Sequence, residues 1–215
     1  MTLSEENYLK IIYHLSVFQN AEISTNSIAE KLSTKASSVT DMLKKLADKN
    51  FINYQKYQGV SLTEKGLFEA KMIVRKHRLW EVFLVDKLSF SWDEVHDVAE
   101  QLEHIKSDKL IEKLDSFLGF PSEDPHGDPI PNQYGEVQKP NNKLLAEAEI
   151  DKRYVCVGVK DSSSAFLQYL DKHKIGLGTI MKVVATEPFD NTFELLIDNK
   201  SITVSSKIAT NIFIS

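Results

Sequence analysis

The sequence predicts a mainly α-helical chain with some β structure, arranged as an N-terminal winged helix-turn-helix, a helical middle region and a small C-terminal barrel-like α+β module. Three observations carry this. Two short amphipathic helical patterns are followed by a strand-turn-strand pattern, helical periodicity then continues to about Leu118, and short β-rich runs fill the chain past Ile150.

In order, Leu9, Ile12, Tyr13 and Leu15 make a helical stripe over 4–18, and Ser4 with Glu5 and Glu6 suits a helix start. After Ile23, Ser24 or Thr25 can cap a helix carrying Ile28, Ala29 and Leu32, which Ser33-Thr34 breaks. From about Ala36 to Lys49 the next helix buries Val39, Leu43 and Leu46 and turns Ser37, Ser38, Thr40, Asp41, Lys44 and Lys45 to other faces. FINYQKYQGVSLT (51–63) alternates loosely around Gly59, as a β-hairpin or wing does. Thr63-Glu64 opens a long helix through Ala70, Ile73, Leu79, Trp80, Phe83 and Leu84 that ends near Ser89–Ser91. Ser91 can cap a helix from about Trp92 to Ile105, and Ser107 another to about Leu118 before Gly119 stops it. A dimerisation region has this appearance, and Trp80 and Trp92 are expected in its core or interface.

Residues 119–142 hold all but one of the six prolines, with Gly127 and Gly135, and read as a connector. Beyond Ile150, the runs 154–159, 179–186, 193–197 and 201–204 surround a helical run at about 163–172. The expected domains are 1–63, 64–142 and 143–215.

With 215 residues, 42% hydrophobic and 27% charged, the chain can bury a core and is not disordered by composition. A net charge of −5 excludes a wholly basic surface, so any nucleic-acid contact must use a local patch. Cys156 is the only cysteine, which excludes an intramolecular disulfide framework and a multi-cysteine zinc cage, and fits a buried small hydrophobe in a reducing compartment. The start MTLSEENYLK is acidic and polar where a secretory signal is basic and then apolar, and no apolar run reaches membrane-span length. A soluble cytoplasmic protein without a membrane partner is expected.

The local patch exists. Between Lys31 and Gln58 lie six lysines against two aspartates, and Ala36-Ser37-Ser38-x-Thr40 gives the second helix a small, polar leading turn that can approach phosphates and base edges in a major groove. Lysine-rich helices are often only solvated faces. Helix, helix and wing in that order favour double-stranded DNA.

Metal-capable side chains follow. His96, Glu100 and His104 step by four with Glu103 three beyond Glu100, and His77-x-x-x-Glu81 adds a second pair, so each set lies on one helical face. Taken singly these would be surface ion pairs, but together on neighbouring helices they favour a divalent metal. Oxygen and imidazole donors without thiolate suit Mn²⁺ or Fe²⁺, while Zn²⁺, Co²⁺ and Ni²⁺ would also bind. Asp124, His126 and Asp161 are weak signals alone, since loop Asp and His residues usually make turns.

The order of elements, with HRLWEVFL (77–84), VHDVAEQLEHIKSD (95–108) and DPHGDPIP (124–131), resembles the diphtheria-toxin-repressor family of metal-dependent repressors, including its manganese-responsive branch, over the whole chain. The resemblance implies a winged helix, a helical dimerisation domain and a C-terminal SH3-like (FeoA-like) domain. It implies one metal site from Glu81, Asp124, His126 and Asp161 with His77 and His96 nearby, some relatives having Cys where Asp124 stands. It implies another from Glu100, Glu103 and His104 with Asn7, which stands where manganese sensors have Asp and some iron sensors Met and offers a neutral carbonyl oxygen. Lys10 stands where short members carry a Glu of a paired manganese centre, so the resemblance does not carry that pair over. Glu100, where iron-responsive members often have Cys, leans toward Mn²⁺.

The implied mechanism is that of a corepressor: metal selects the helix arrangement that lets a homodimer grip an inverted-repeat operator controlling metal-homeostasis genes. Ser37, Ser38 and Thr40 would read bases or phosphates, and Lys35, Lys44 and Lys56 would contact phosphate. One rival is a winged-helix regulator answering to an organic ligand or to none. Another is a metallohydrolase, for which the chain offers no clear nucleophile or substrate pocket, so no enzyme is expected.

Overall fold

Apolar side chains at helical spacing organise the N-terminal region. In the computed structural model, which describes residues 1–18, 23–55, 58–138 and 142–215, these are helices α1 (Leu3–Phe18), α2 (Thr25–Lys31) and α3 (Ala36–Asp48). They bury Leu9, Ile12, Ile28, Val39, Leu43 and Leu46 in one core. Ser24 caps α2 by accepting from the Ser27 backbone N–H at 3.0 Å, which decides between the two candidate caps. The turn into α3 passes through Ser33 in the left-handed region.

Strands β1 (Ile52–Tyr54) and β2 (Val60–Leu62) pair antiparallel with Ile52 opposite Leu62, forming the wing. Lys56, expected to contact phosphate, lies outside the described residues. Helix α4 (Glu64–Leu88) begins where the Thr63 hydroxyl accepts from the Gly66 N–H at 3.0 Å. A side chain at Gly66 would collide with the Phe51 carbonyl oxygen, so only glycine lets α4 start this close to the strand.

Helix α5 (Val95–Leu102) is shorter at both ends than its periodicity suggests. Residues 92–94 form turns, and the Ile105 N–H bonds the Leu102 carbonyl at 3.1 Å, so Glu103 and His104 project from a turn rather than from a helical face. Helix α6 (Asp108–Phe117) ends just before Gly119 and Phe120, both at positive φ.

The chain divides into one unit of 1–77, 100–108 and 131–137 and a second of 78–99, 109–130 and 138–215. The second contains a six-stranded antiparallel sheet in the order β3-β8-β4-β5-β6-β7. Its elements are β3 (Lys143–Leu144), β4 (Arg153–Val159), α7 (Ser164–Lys172), β5 (Ile180–Thr186), β6 (Phe193–Ile197), β7 (Lys200–Val204), α8 (Ser206–Ala209) and β8 (Ile212–Ile214). Leu170, Met181, Val183, Leu195 and Ile212 fill its core. Cys156 is buried there, and burial pushes its thiol pKa up, so it behaves as a small apolar residue. Among the described residues no helix is long and apolar enough to cross a membrane.

Candidate metal centres and DNA-facing helix

In the second unit, Glu81 on α4 meets Asp124 and His126 from the loop after α6, and all three are buried. Local chemistry explains the loop. The Asp124 Oδ1 accepts from the backbone N–H of His126 at 2.8 Å and of Asp128 at 3.0 Å, closing the turn around Gly127. Gly127 has φ +82°, and a side chain there would strike the Val157 carbonyl, so glycine lets the loop lie on β4. Arg78 braces the other side, with Nε 3.4 Å from Asp124 Oδ2 and Nη2 3.1 Å from Asp128 Oδ2.

His126 is oriented by Trp92. Its Nε2–H donates to the Trp92 carbonyl at 2.9 Å, and the rings stack at 6.2 Å and 10°. In the neutral ring Nδ1 is then the lone-pair nitrogen, and it stands 3.9 Å from Glu81 Oε2 and 4.0 Å from Asp124 Oδ1. Two ligands on a cation with bonds of about 2.1 Å lie at most about 4.2 Å apart, so the spacing fits an ion bound between them. Burial holds the Asp124 carboxyl well above the usual aspartate range, the negative charges of Glu81 and Asp128 add to this, and Arg78 offsets part of it. Carboxyl groups packed in this way require positive charge to ionise together.

His96 places Nδ1 3.4 Å from Glu81 Oε1, with its side chain more than half exposed. Asp161 is not brought into the Glu81–Asp124–His126 group. Its Oδ1 instead accepts from the Ser163 N–H at 2.9 Å, forming the turn that leads into α7.

A second cluster lies in the first unit. Glu103 is completely buried, and its Oε2 accepts from His77 Nδ1 at 2.6 Å. His77, grouped with Glu81 by sequence spacing, thus also belongs with Glu100 and Glu103. His104 donates Nδ1–H to Glu6 Oε2 at 2.6 Å, which in the neutral ring leaves Nε2 as the lone-pair nitrogen, 3.8 Å from Glu103 Oε1. The Lys10 ammonium enters the same cluster, 2.5 Å from Glu100 Oε2 and 2.7 and 2.8 Å from the two Glu103 oxygens.

Asn7, one turn before Lys10 on α1, carries a buried Oδ1 with no hydrogen-bond partner among the described residues. An unsatisfied buried carbonyl costs about 1–3 kcal/mol, a loss that coordination to a cation would recover. The donor atoms that converge within 4.8 Å here are those of His77, Glu100 and Glu103, a set that suits a hard divalent cation, and His104 touches this set through Glu103 at 3.8 Å. Sequence reasoning missed Glu6 and the Trp92 carbonyl, because each acts on a histidine distant in the chain and no local spacing signals it.

On α3, Lys35 precedes the first turn, Ser37 and Ser38 are exposed, and Lys44 is exposed near Asp41 at 3.7 Å. The half-buried Thr40 donates its hydroxyl to the Ala36 carbonyl at 3.0 Å. Lys49, just past α3, pairs with Glu5 of α1 at 2.6 Å, and its ammonium holds the Glu5 carboxyl below the usual glutamate range.

Known proteins share this organisation. Models for the iron dependent repressor N-terminal DNA binding domain, the iron dependent repressor metal binding and dimerisation domain, and the FeoA domain match residues 1–60, 63–132 and 143–215. The chain is 41% identical over 118 residues to the uncharacterized HTH-type transcriptional regulator MJ0568 of Methanocaldococcus jannaschii, spanning 55% of this chain and 94% of that protein. It is 32% identical over 147 residues to the HTH-type transcriptional regulator MntR of Bacillus pumilus, spanning 68% and 99%. A solved manganese-dependent transcriptional repressor complex with manganese is similar at TM-score 0.85 and 34% identity over 98% of both chains. The chain thus belongs to the diphtheria-toxin-repressor family of metal-dependent transcriptional repressors, with a DNA-binding N-terminal domain, a helical dimerisation region and a FeoA-type β domain.

Proposed function

We propose that the protein is a metal-responsive repressor that takes up Mn²⁺, with Fe²⁺ as the alternative, and then binds an inverted-repeat DNA operator as a homodimer to control metal-homeostasis genes. The observation that carries this reading is the buried Glu81–Asp124–His126 group, whose donor atoms lie within 4.8 Å of one another. A bound divalent cation supplies the positive charge that keeps these carboxylates ionised while packed together. Zn²⁺, Co²⁺ or Ni²⁺ can replace it in vitro.

The chain's own residues do the rest. Trp92 holds His126 in the tautomer that presents Nδ1, and Glu6 holds His104 in the tautomer that presents Nε2. Asn7, Glu100, Glu103 and His104 would hold an ion against α1, with His77 bonded to Glu103; His96 borders Glu81, and Asp161 would join that group only if the segment before α7 moved. Because Glu5 of α1 is paired with Lys49 at the end of α3, the position of α1 bears on the recognition helix. Ligation of Asn7 thereby selects one placement of α3, and a homodimer converts that placement into a spacing between two recognition helices. Ser37, Ser38 and Thr40 would face the groove, with Lys35, Lys44 and Lys56 on phosphate.

Selection from a random DNA pool tests the proposal. Inverted repeats should be enriched with Mn²⁺ present and not with chelator. Equal enrichment under both conditions would refute metal control.

A further inference from the structure

The ammonium of Lys10 sits among the carboxylate oxygens of the second cluster. It approaches Glu100 Oε2 at 2.5 Å and both Glu103 oxygens at 2.7 and 2.8 Å, while its side chain is only 8% exposed. Glu103 is wholly buried, and a buried carboxylate needs a cation or a dense set of donors. Lys10 and His77 supply them from α1 and α4.

The Glu81–Asp124–His126 group is arranged differently. Its donor atoms stand 3.9 and 4.0 Å apart around His126 Nδ1, a cation-sized gap, and Arg78 braces it from the side at 3.4 Å from Asp124. Both clusters bring donor atoms within 4.8 Å of one another, with His77 Nδ1 4.0 Å from Glu100 Oε2 in the second, but in the second it is a lysine ammonium that contacts the carboxylate oxygens.

We infer that Lys10 is a tethered cation that competes with divalent metal for the oxygens of Glu100 and Glu103. An ion can bind those oxygens only after the ammonium withdraws, because two positive charges cannot share contacts of this length in a buried site. The ammonium moves without breaking a bond, on a flexible four-carbon stem. The Asn7–Glu100–Glu103–His104 site accordingly fills at higher metal concentration than the Glu81–Asp124–His126 site. Lys10 also keeps α1 joined to Glu103 before metal arrives, so the second step exchanges one ionic link for another. The protein then responds to metal in two ordered steps, and Lys10 sets the threshold of the second.

This inference rests on the proposed metal-responsive function, and the test separates the two. Mn²⁺ would be titrated calorimetrically into the full-length wild type, Lys10→Met and Lys10→Arg, each also in a Glu81→Gln background that isolates the second site. Lys10→Met should tighten the second site by on the order of tenfold or more and leave the first unchanged, while Lys10→Arg should remain weak. An unchanged or weaker second site in Lys10→Met would overturn the inference while the first site still bound Mn²⁺. A wild type that takes up no Mn²⁺ at either site would overturn the proposed function and this inference together.

Thermal denaturation provides a second measure if the variant is fragile. Without metal, Lys10→Met should melt below wild type, because Glu103 loses its cation. Saturating Mn²⁺ should close that gap. A gap that persists in saturating Mn²⁺ would contradict competition for the same oxygens.

Discussion

His104 Nδ1 stands 2.6 Å from Glu6 Oε2, a contact that joins residues 98 positions apart in the chain. The carboxylate can only accept, so it fixes a proton on Nδ1, and in the neutral ring this leaves Nε2 as the nitrogen that the proposed site would use. Glu6→Ala should weaken Mn²⁺ binding at the Asn7–Glu100–Glu103–His104 site by about 10–100-fold while the fold persists. Calorimetry on the Glu81→Gln background measures this, and an undiminished affinity would show that Glu6 does not orient the ligand.

Glu103→Ala should behave differently from a simple ligand deletion. It removes the buried acceptor shared by the Lys10 ammonium and the His77 N–H, leaving Lys10 its contact with the partly exposed Glu100, and breaking a buried pair from one side costs up to about 3–5 kcal/mol. Urea unfolding of the metal-free variant should show a loss of this size. A stability equal to wild type would mean that water replaces the carboxylate at little cost.

The pairing of Glu5 with Lys49 has a pH signature. The folded-state pKa of Glu5 is lowered, so its contribution is present above the ordinary glutamate value of about 4.3 and is lost as pH falls through the depressed value. Lys49 is half exposed, which limits the gain to roughly 0.5–1 kcal/mol. Glu5→Gln should be destabilised by that amount near neutral pH and match wild type in strong acid, as denaturant melts at several pH values would record.

Lys44 is exposed on α3 and paired only loosely with Asp41 at 3.7 Å. As a phosphate contact, its replacement by alanine should weaken binding to all DNA sequences alike and reduce the salt-dependence slope by about 1 per recognition helix. A sequence-selective loss with an unchanged slope would place Lys44 on a base edge instead.

Much of this was legible in the sequence because it is local. The stripe of Val39, Leu43 and Leu46 specifies the buried face of α3, and Gly59 between two β-prone runs specifies the wing. The acidic and imidazole residues suggest metal binding by type and spacing. Their grouping was less legible: His77 bonds Glu103 across 26 residues and Lys10 reaches it across 93, distances at which periodicity says nothing. The early end of α5 is not signalled by periodicity, because Glu103 and His104 keep helical spacing in the sequence while their partners, Lys10, His77 and Glu6, lie far away in the chain. Strands β3 and β8, of two and three residues, are too short for alternation to register.

The decisive measurement is fluorescence anisotropy of an inverted repeat recovered by selection, titrated with wild type and with His104→Ala at fixed free Mn²⁺ and in chelator. His104→Ala removes a proposed ligand without unpairing Lys10 from Glu103. Wild type should gain about 5–150-fold in affinity with Mn²⁺, and the variant should remain a folded dimer that gains little. Wild-type binding that is equally tight with Mn²⁺, with Fe²⁺ and in chelator would contradict metal control of the DNA grip.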